Sequence, residues 1–528
     1  MGKKFNVTGL CVPTKHYMVN ISRKVDQMVQ MVNQGDYFVM NRARQYGKTT
    51  TLLALKKQLQ NKYETISISF EGLGDSNTET EVAFCQSFLL LVYDSLEFSN
   101  ANEDFRSQWQ DTSVTDFLAL SRFITKVCRR FDCVLIIDEV DKVSNNKVFL
   151  NFLSTLRKKY LASQAESDFT FKSVILAGVY DIKNIKLKLI ESGFHHKKDG
   201  EIINYNSPWN IAVDFRIDMA FDANGISEML TEYKNANQEN ISIQKMDTEK
   251  IAETIYIYSK GYPYLVSRIC LLIDTEMDKD WTPKGVQKAI QIMLTESTTL
   301  FDDLNKNLQN DKDLYDLLYD LLIIGNPISY NIDNPTIAKG LRYGYIIPEE
   351  ELVKISNPIF EIRICNYFIS RDETKTAGRP AGVLREDVLK NGHLNMELIL
   401  TKFSLHFQEI RNSSDLDFLE KHGRLLFLTF LKPLLNGQGF YHIESAFTDS
   451  RRMDIVVDFG NEQFVIELKL WYGEQAHQKA YAQLSDYLSS KSLKKGYLLT
   501  FDFRKDKNRE IKSEWLSIGN FDIFDVIV

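Results

Sequence analysis

Asn41-Arg42-Ala43-Arg44-Gln45-Tyr46-Gly47-Lys48-Thr49-Thr50 decides how the first half of this 528-residue chain folds. It lies between an apolar run at 37–40 and a stretch rich in Leu and Ala, which is the order strand, loop, helix. Such a loop turns backbone N–H groups and a helix start toward phosphate oxygens, while the Lys reaches the outer phosphates and the Thr hydroxyl holds Mg²⁺. The expected ATP contacts are therefore Arg44, Gln45, Tyr46, Gly47, Lys48, Thr49 and Thr50. The first position of the usual G-x-x-x-x-G-K-[ST] pattern is Arg42 in place of Gly.

Further along, Cys133-Val134-Leu135-Ile136-Ile137-Asp138-Glu139 is an apolar strand ending in two carboxylates. Phosphoryl transfer asks a protein mainly for positioning and charge neutralisation. Asp138 is expected to hold Mg²⁺ together with Thr49, and Glu139 to polarise the attacking water. Runs at 37–40, 65–70, 134–137 and 173–177 read as strands between amphipathic helices, which predicts a parallel α/β sheet. From about residue 212 to 300 the pattern is helical, with Gly261-Tyr262-Pro263 opening one helix. Residues 311–370 suit a small winged-helix-like module, with short strands near 344–347 and 352–355. Residues 371–381 read as a linker. A helical region (394–435), a strand pair (452–470), a helix (474–490) and a final strand (496–503) follow.

Several segments together resemble the AAA-ATPase-like domain of a family of predicted ATPases. They are Ile21-Ser22-Arg23-Lys24, Tyr37-Phe38, the loop through Thr51, Ile136-Ile137-Asp138-Glu139, Leu176-Ala177-Gly178-Val179-Tyr180-Asp181, Ser207-Pro208-Trp209-Asn210-Ile211-Ala212 and Gly261-Tyr262-Pro263-Tyr264-Leu265-Val266-Ser267-Arg268. The resemblance spans about 300 residues, and it implies that Arg is ordinary at the position of Arg42. It also implies a γ-phosphate sensor at Asp181 and a second sensor, Arg268, in a helical lid. Members often carry a restriction-endonuclease-like domain at the C-terminus.

The second constellation runs from Arg451-Arg452-Met453-Asp454 to Glu467-Leu468-Lys469. A two-residue turn at Gly460-Asn461 would put Asp454 directly opposite Glu467. Like charges so placed repel, and a cation such as Mg²⁺, which takes carboxylate oxygens, would compensate. Lys469 shares the face of Glu467, because strand side chains alternate. A metal on two carboxylates beside an ammonium suits phosphodiester hydrolysis. Asp454…Glu467-x-Lys469 resembles the PD-(D/E)XK nuclease superfamily, with Met453 where many members have Pro. That resemblance implies a metal-binding role for Glu420 and a positioning role for Gln483, with Tyr487 one turn on.

The fold class read from the sequence is α/β: a P-loop NTPase parallel sheet with a helical lid (1–300), a winged-helix-like module (301–375) and a restriction-endonuclease-like domain (376–528). The expected cofactors are ATP and Mg²⁺. The expected partner is nucleic acid, DNA before RNA, met through local patches such as Lys491, Lys494, Lys495, Arg504, Lys505, Lys507 and Arg509. The overall charge of −7 argues against a broadly basic coat protein. From residue 371 onward, 22 Lys and Arg nearly balance 23 Asp and Glu, so the acidic excess lies earlier in the chain. Six scattered cysteines with no Cys-x-x-Cys pair indicate a reducing compartment. The N-terminus lacks an apolar signal core, Asn6 breaks the myristoylation pattern, and no run reaches spanning length. A cytoplasmic protein without membrane contact is expected. Homo-oligomerisation stays open, with Arg157 and Arg216 as candidate finger arginines. His195-His196 has no carboxylate or Cys at zinc spacing, and no acyl-transfer motif occurs. Two other readings remain: an ATP-driven switch that binds nucleic acid or protein without cleavage, and a remodeller whose chemistry is confined to ATP.

Overall fold

The strands Phe38–Asn41 (β1), Glu64–Ser69 (β2), Cys133–Asp138 (β3) and Ser173–Gly178 (β4) form a parallel sheet in the order β1-β4-β3-β2. Each falls within a residue or two of its expected position. In this computed structural model the described residues are 2–99, 101–110, 113–143, 146–179, 197–198, 201–202, 209–324, 326–373, 388–390, 393–410, 420–435, 439–442, 455–460, 462–503 and 511–528. The chain divides into two compact units. One is Met1–Gln244 with Gly261–Leu271 and Arg342–Gly344; the other is Lys245–Lys260, Leu272–Leu341 and Tyr345–Val528.

In the first unit every residue of β3 and β4 is buried, as a parallel sheet covered on both faces requires. Alternation sorts them into two cores. Phe38, Met40, Val134, Ile136, Ile175 and Ala177 pack with Val25 and Met28 of Ser22–Gln34 (α1) and Leu52 and Leu55 of Lys48–Leu59 (α2). Val39, Leu135, Ile137, Val174 and Leu176 face the other way, toward Glu81–Glu97 (α3), Phe117–Cys128 (α4) and Lys147–Gln164 (α5). Burying one such Leu or Phe contributes about 1.5–3 kcal/mol, so the two cores fix the sheet and with it the loop after β1. Lys159 of α5 is a buried lysine in a charged pair: its Nζ lies 2.7 Å from Asp168 Oδ2 and 2.6 Å from Thr125 Oγ1 of α4.

Helices follow at Ala223–Ala236, Thr248–Ser259, Pro263–Glu276 (α6), Pro283–Thr295 and Thr299–Asn310. Gly261, just before α6, has φ of +73°, and a Cβ there would lie 1.8 Å from the Phe221 carbonyl oxygen. Only glycine fits that approach.

In the second unit, Ile346–Glu349 (β5) and Leu352–Ile355 (β6) form an antiparallel hairpin after the helices Lys312–Tyr319 and Pro335–Arg342. The next helix, Pro358–Glu373, runs three residues into the segment expected as a linker. The Arg371 guanidinium holds this last turn, standing 5.3 Å from the Tyr315 ring and 5.9 Å from the Tyr367 ring. After Met396–Ile410 (α7) and Glu420–Leu435 (α8) comes a six-stranded mixed sheet. Its strands are Gly439–His442 (β7), Ile455–Phe459 (β8), Glu462–Leu470 (β9), Lys495–Phe501 (β10), Lys512–Ile518 (β11) and Phe521–Ile527 (β12), in the order β7-β8-β9-β10-β12-β11. β7, β11 and β12 are additional to the strands that the sequence pattern predicts, the last of which is β10. β11 is mostly exposed and carries no clean alternation, which is why periodicity did not reveal it. Glu474–Ser490 (α9) packs on one face through Tyr481, Leu484 and Leu488.

Candidate functional site

The loop after β1 is built on left-handed backbone at Gln45 (φ 57°) and Gly47 (φ 79°), which turns the chain sharply into α2. Lys48 is buried, and its Nζ donates to the Arg42 and Ala43 carbonyls at 2.9 and 3.0 Å. Burial holds this ammonium below its ordinary range, against the pull of Asp141, Glu139 and Asp138. Thr49 Oγ1 donates to Asp138 Oδ2 at 2.9 Å, and Asp138 Oδ1 accepts the Glu139 N–H at 2.9 Å. Glu139 itself has φ of 54° and a carboxyl pushed up by burial and by Asp138 beside it. A hydroxyl and a carboxylate in contact are hard oxygen donors, and the pair fits Mg²⁺.

Arg42 has a structural task. Its guanidinium donates to the Ile217 carbonyl at 2.8 Å and to the Asn41 carbonyl at 2.9 Å, and it stands 5.3 Å from the Phe215 ring. A charged donor to a carbonyl contributes about 1.5–3 kcal/mol. Arg42→Gly, which restores the commoner residue, is therefore expected to lower stability by about that amount, read from the urea unfolding midpoint; an unchanged midpoint would contradict the anchor. The loop has two further supports. The Tyr262 hydroxyl donates to the Arg44 carbonyl, and its ring packs edge-on to Tyr46 with centroids 4.7 Å apart. Burial pushes the Tyr46 hydroxyl up to about 12. Gly344, at φ of +73°, comes so near that a Cβ on it would sit 3.0 Å from Ala43 Cβ.

In the second sheet β8 and β9 pair from Phe459↔Glu462 to Ile455↔Ile466, the register a turn at 460–461 demands. Glu467 follows on β9, fully buried, with Lys469 Nζ 2.6 Å from its Oε1. The Lys469 side chain is 28% exposed and lines a small cleft with Leu470, Trp471, Tyr472, Gly473 and His477. A carboxylate supplies hard oxygen donors of the kind a divalent cation takes, and here Lys469 offsets part of its charge.

Residues 43–185 match the family model of an AAA domain, and residues 440–513 match that of the PD-(D/E)XK nuclease superfamily. The chain carries an AAA domain followed by a PD-(D/E)XK nuclease superfamily domain. Among solved structures, a Walker-type ATPase of Pyrococcus abyssi aligns over 68% of this chain and 99% of its own, at 12% identity and a TM-score of 0.45. The ORC2 protein of Aeropyrum pernix aligns over 66% and 93%, at 11% identity and a TM-score of 0.34. Cdc6p of Pyrobaculum aerophilum aligns over 67% and 94%, at 13% and 0.29. A search of curated proteins returned no match.

Within the AAA domain the structure brings Lys48, Thr49, Asp138 and Glu139 together. Asp141, outside the sequence-based expectation, joins them: its carboxylate pulls on the Lys48 ammonium and accepts the Val179 N–H at 2.7 Å. The Asp138-Glu139-Val140-Asp141 run was the available signal, because a 3₁₀ turn at Val140–Lys142 brings the third acid back toward the sheet. Arg268 lies half-buried on α6, and Asp181 falls outside the described residues. In the nuclease superfamily domain, Asp454 is likewise outside them, as is the Glu420 side chain. Gln483 is half-buried on α9. Arg424, four residues after Glu420, is buried and donates to the Ile323 carbonyl at 2.7 Å. Of the basic patches, Lys491 stands 5.6 Å from the Tyr487 ring and Lys495 5.3 Å from the Trp515 ring. Residues 504–510 lie outside the described set, as do His195 and His196. Among the described residues there is no cluster of three metal-ligating side chains and no helix long and apolar enough to cross a membrane.

Proposed function

We propose that the chain binds and hydrolyses ATP at its AAA domain and thereby controls Mg²⁺-dependent cleavage of DNA phosphodiesters at its nuclease superfamily domain. The observation that carries the reading is the 2.9 Å contact between Thr49 and Asp138, which joins two motifs far apart in sequence. In this reading the amides from Arg44 to Thr50 cradle phosphates, and Lys48 leaves the Arg42 and Ala43 carbonyls for phosphate oxygens. Thr49 and Asp138 hold Mg²⁺. Glu139 takes up the water's proton, a task that a carboxyl raised above its ordinary range performs better. Asp181 and Arg268 sense the γ-phosphate.

At the second site Asp454, Glu467 and Glu420 hold the metal, which when bound neutralises phosphate charge and sharpens water as a nucleophile. Lys469 steadies the developing negative charge and Gln483 positions the site. Nucleic acid, DNA before RNA, is the proposed partner, in the cytoplasm, where six free thiols fit a reducing setting. Self-assembly through Arg157 or Arg216 belongs to the same proposal, as do domains at 1–300, 301–375 and 376–528. One observation favours the rival, a switch without cleavage: the direct Glu467–Lys469 pair neutralises itself.

Purified protein with Mg²⁺, with and without ATP, assayed on labelled single-stranded and duplex DNA, separates the two. Cleavage that changes with ATP supports the proposal; retention of DNA with no cleavage under any condition supports the switch.

A further inference from the structure

The face of the nuclease sheet that bears Glu467 and Lys469 carries a second polar set, which the chemistry above leaves unused. Register partners in parallel strands share a face. Glu467, Leu498 and Asp525 thus form one row, and Lys469 and Thr500 the next. α9 lies over these rows and lowers His477 onto them from its first turn. The imidazole is 6% exposed, with Nε2 2.9 Å from Asp525 Oδ2. That same oxygen accepts the Tyr481 hydroxyl at 2.8 Å. The other nitrogen, Nδ1, is 3.5 Å from the fully buried Thr500 Oγ1, at the outer limit of a hydrogen bond.

One nitrogen is thus anchored on a carboxylate and the other is held more loosely. Asp525 Oδ1 is buried and has no hydrogen-bond partner among the described residues. A carboxylate on one nitrogen fixes the ring's tautomer and orientation and stabilises the protonated form. The ring also borders the cleft that Lys469, Trp471 and Tyr472 line, with the Trp471 ring centroid 5.0 Å away. The charged and titratable groups beside it are Asp525 from β12, Tyr481 from α9 and, across the cleft, Lys469 from β9; Glu474 of α9 and Glu514 of β11 act in turn on Tyr481.

We propose that His477, oriented by Asp525, protonates the leaving oxygen in phosphodiester cleavage. The inference rests on the nuclease reading above. As the water oxygen bonds to phosphorus, the bond from phosphorus to the bridging oxygen breaks, and that oxygen takes the Nδ1 proton to leave as an alcohol. The water gives its proton to solvent, and the imidazole regains one from solvent, so nothing is oxidised or reduced. Thr500 holds Nδ1 between turnovers.

The test uses the full-length protein with Mg²⁺ and ATP and two DNA substrates, one ordinary and one whose bridging leaving oxygen is sulfur. Thiolate leaves without a proton. His477→Asn is expected to cleave the ordinary substrate about 100-fold more slowly. It should cleave the sulfur substrate within about threefold of wild type, the scatter allowed for a step that the acid does not assist. Asp525→Asn is expected to show the same selective loss, and it serves where His477→Asn folds poorly. Equal slowing on both substrates, or an unaltered rate on the ordinary one, would overturn the proposal while leaving the nuclease reading standing. A wild type that cleaves neither substrate would overturn both.

Discussion

Lys469→Ala is expected to reduce Mg²⁺-dependent DNA cleavage by at least about 100- to 1,000-fold, the usual consequence of removing one preorganised charge from a transition state. Nucleotide binding at the P-loop should be unchanged. The reason for the size of the effect lies in burial: Glu467 is wholly inaccessible and its Oε1 is 2.6 Å from the Lys469 ammonium, in an environment where a charge acts far more strongly than in water. The same burial supplies the control. Losing the ammonium takes a charge partner away from a buried carboxylate, which can cost several kcal/mol, so unfolding must be measured beside cleavage. Lys469→Arg keeps the charge and should restore folding, with only partial cleavage because the guanidinium is planar and bulkier. Cleavage retained by Lys469→Ala would remove the nuclease assignment.

The largest loss of stability is expected from Asp168→Asn, about 3–5 kcal/mol at neutral pH. Lys159 is 1% exposed on its side chain and its ammonium has Asp168 as its charge partner. Asp168 Oδ1 also accepts the Thr125 hydroxyl and the Phe169 N–H, each at 2.7 Å. Burial alone would raise the Asp168 carboxyl, but hydrogen bonds from Lys159 and Thr125 outweigh it and hold the group below its ordinary range. A depressed carboxylate stabilises the fold fully above its unfolded value of about 3.9 and loses that contribution as the pH falls through the lower folded value. The deficit of the variant should therefore be complete near neutrality and shrink in acid. Urea unfolding at several pH values checks this; a deficit that grows on acidification would contradict it.

How much of this was legible beforehand differs between the two halves for a physical reason. The parallel sheet announces itself, because Cys133–Asp138 and Ser173–Gly178 are buried on both faces and read as unbroken apolar runs. The register of β8 and β9 followed from a turn dipeptide. What stayed hidden depended on contacts between distant residues. Nothing local to His477 reveals Asp525, 48 positions later, on a strand that pattern reading missed. The resemblance makes Arg ordinary at position 42, but its partner, the Ile217 carbonyl, is too far along the chain for a motif to reveal. The role of Tyr262 as a prop for Arg44 likewise appears only when α6 is placed.

The approach of Gly344 to Ala43 has a practical corollary for anyone dissecting the chain. The surface of the phosphate loop is completed by a turn roughly 300 positions downstream, so a fragment cut at residue 300 would expose the Ala43 methyl and one edge of the Tyr262 ring. The shortest piece able to present an intact nucleotide pocket should extend through Gly344, and insertions in that turn should be felt as weakened nucleotide retention long before they are felt as misfolding.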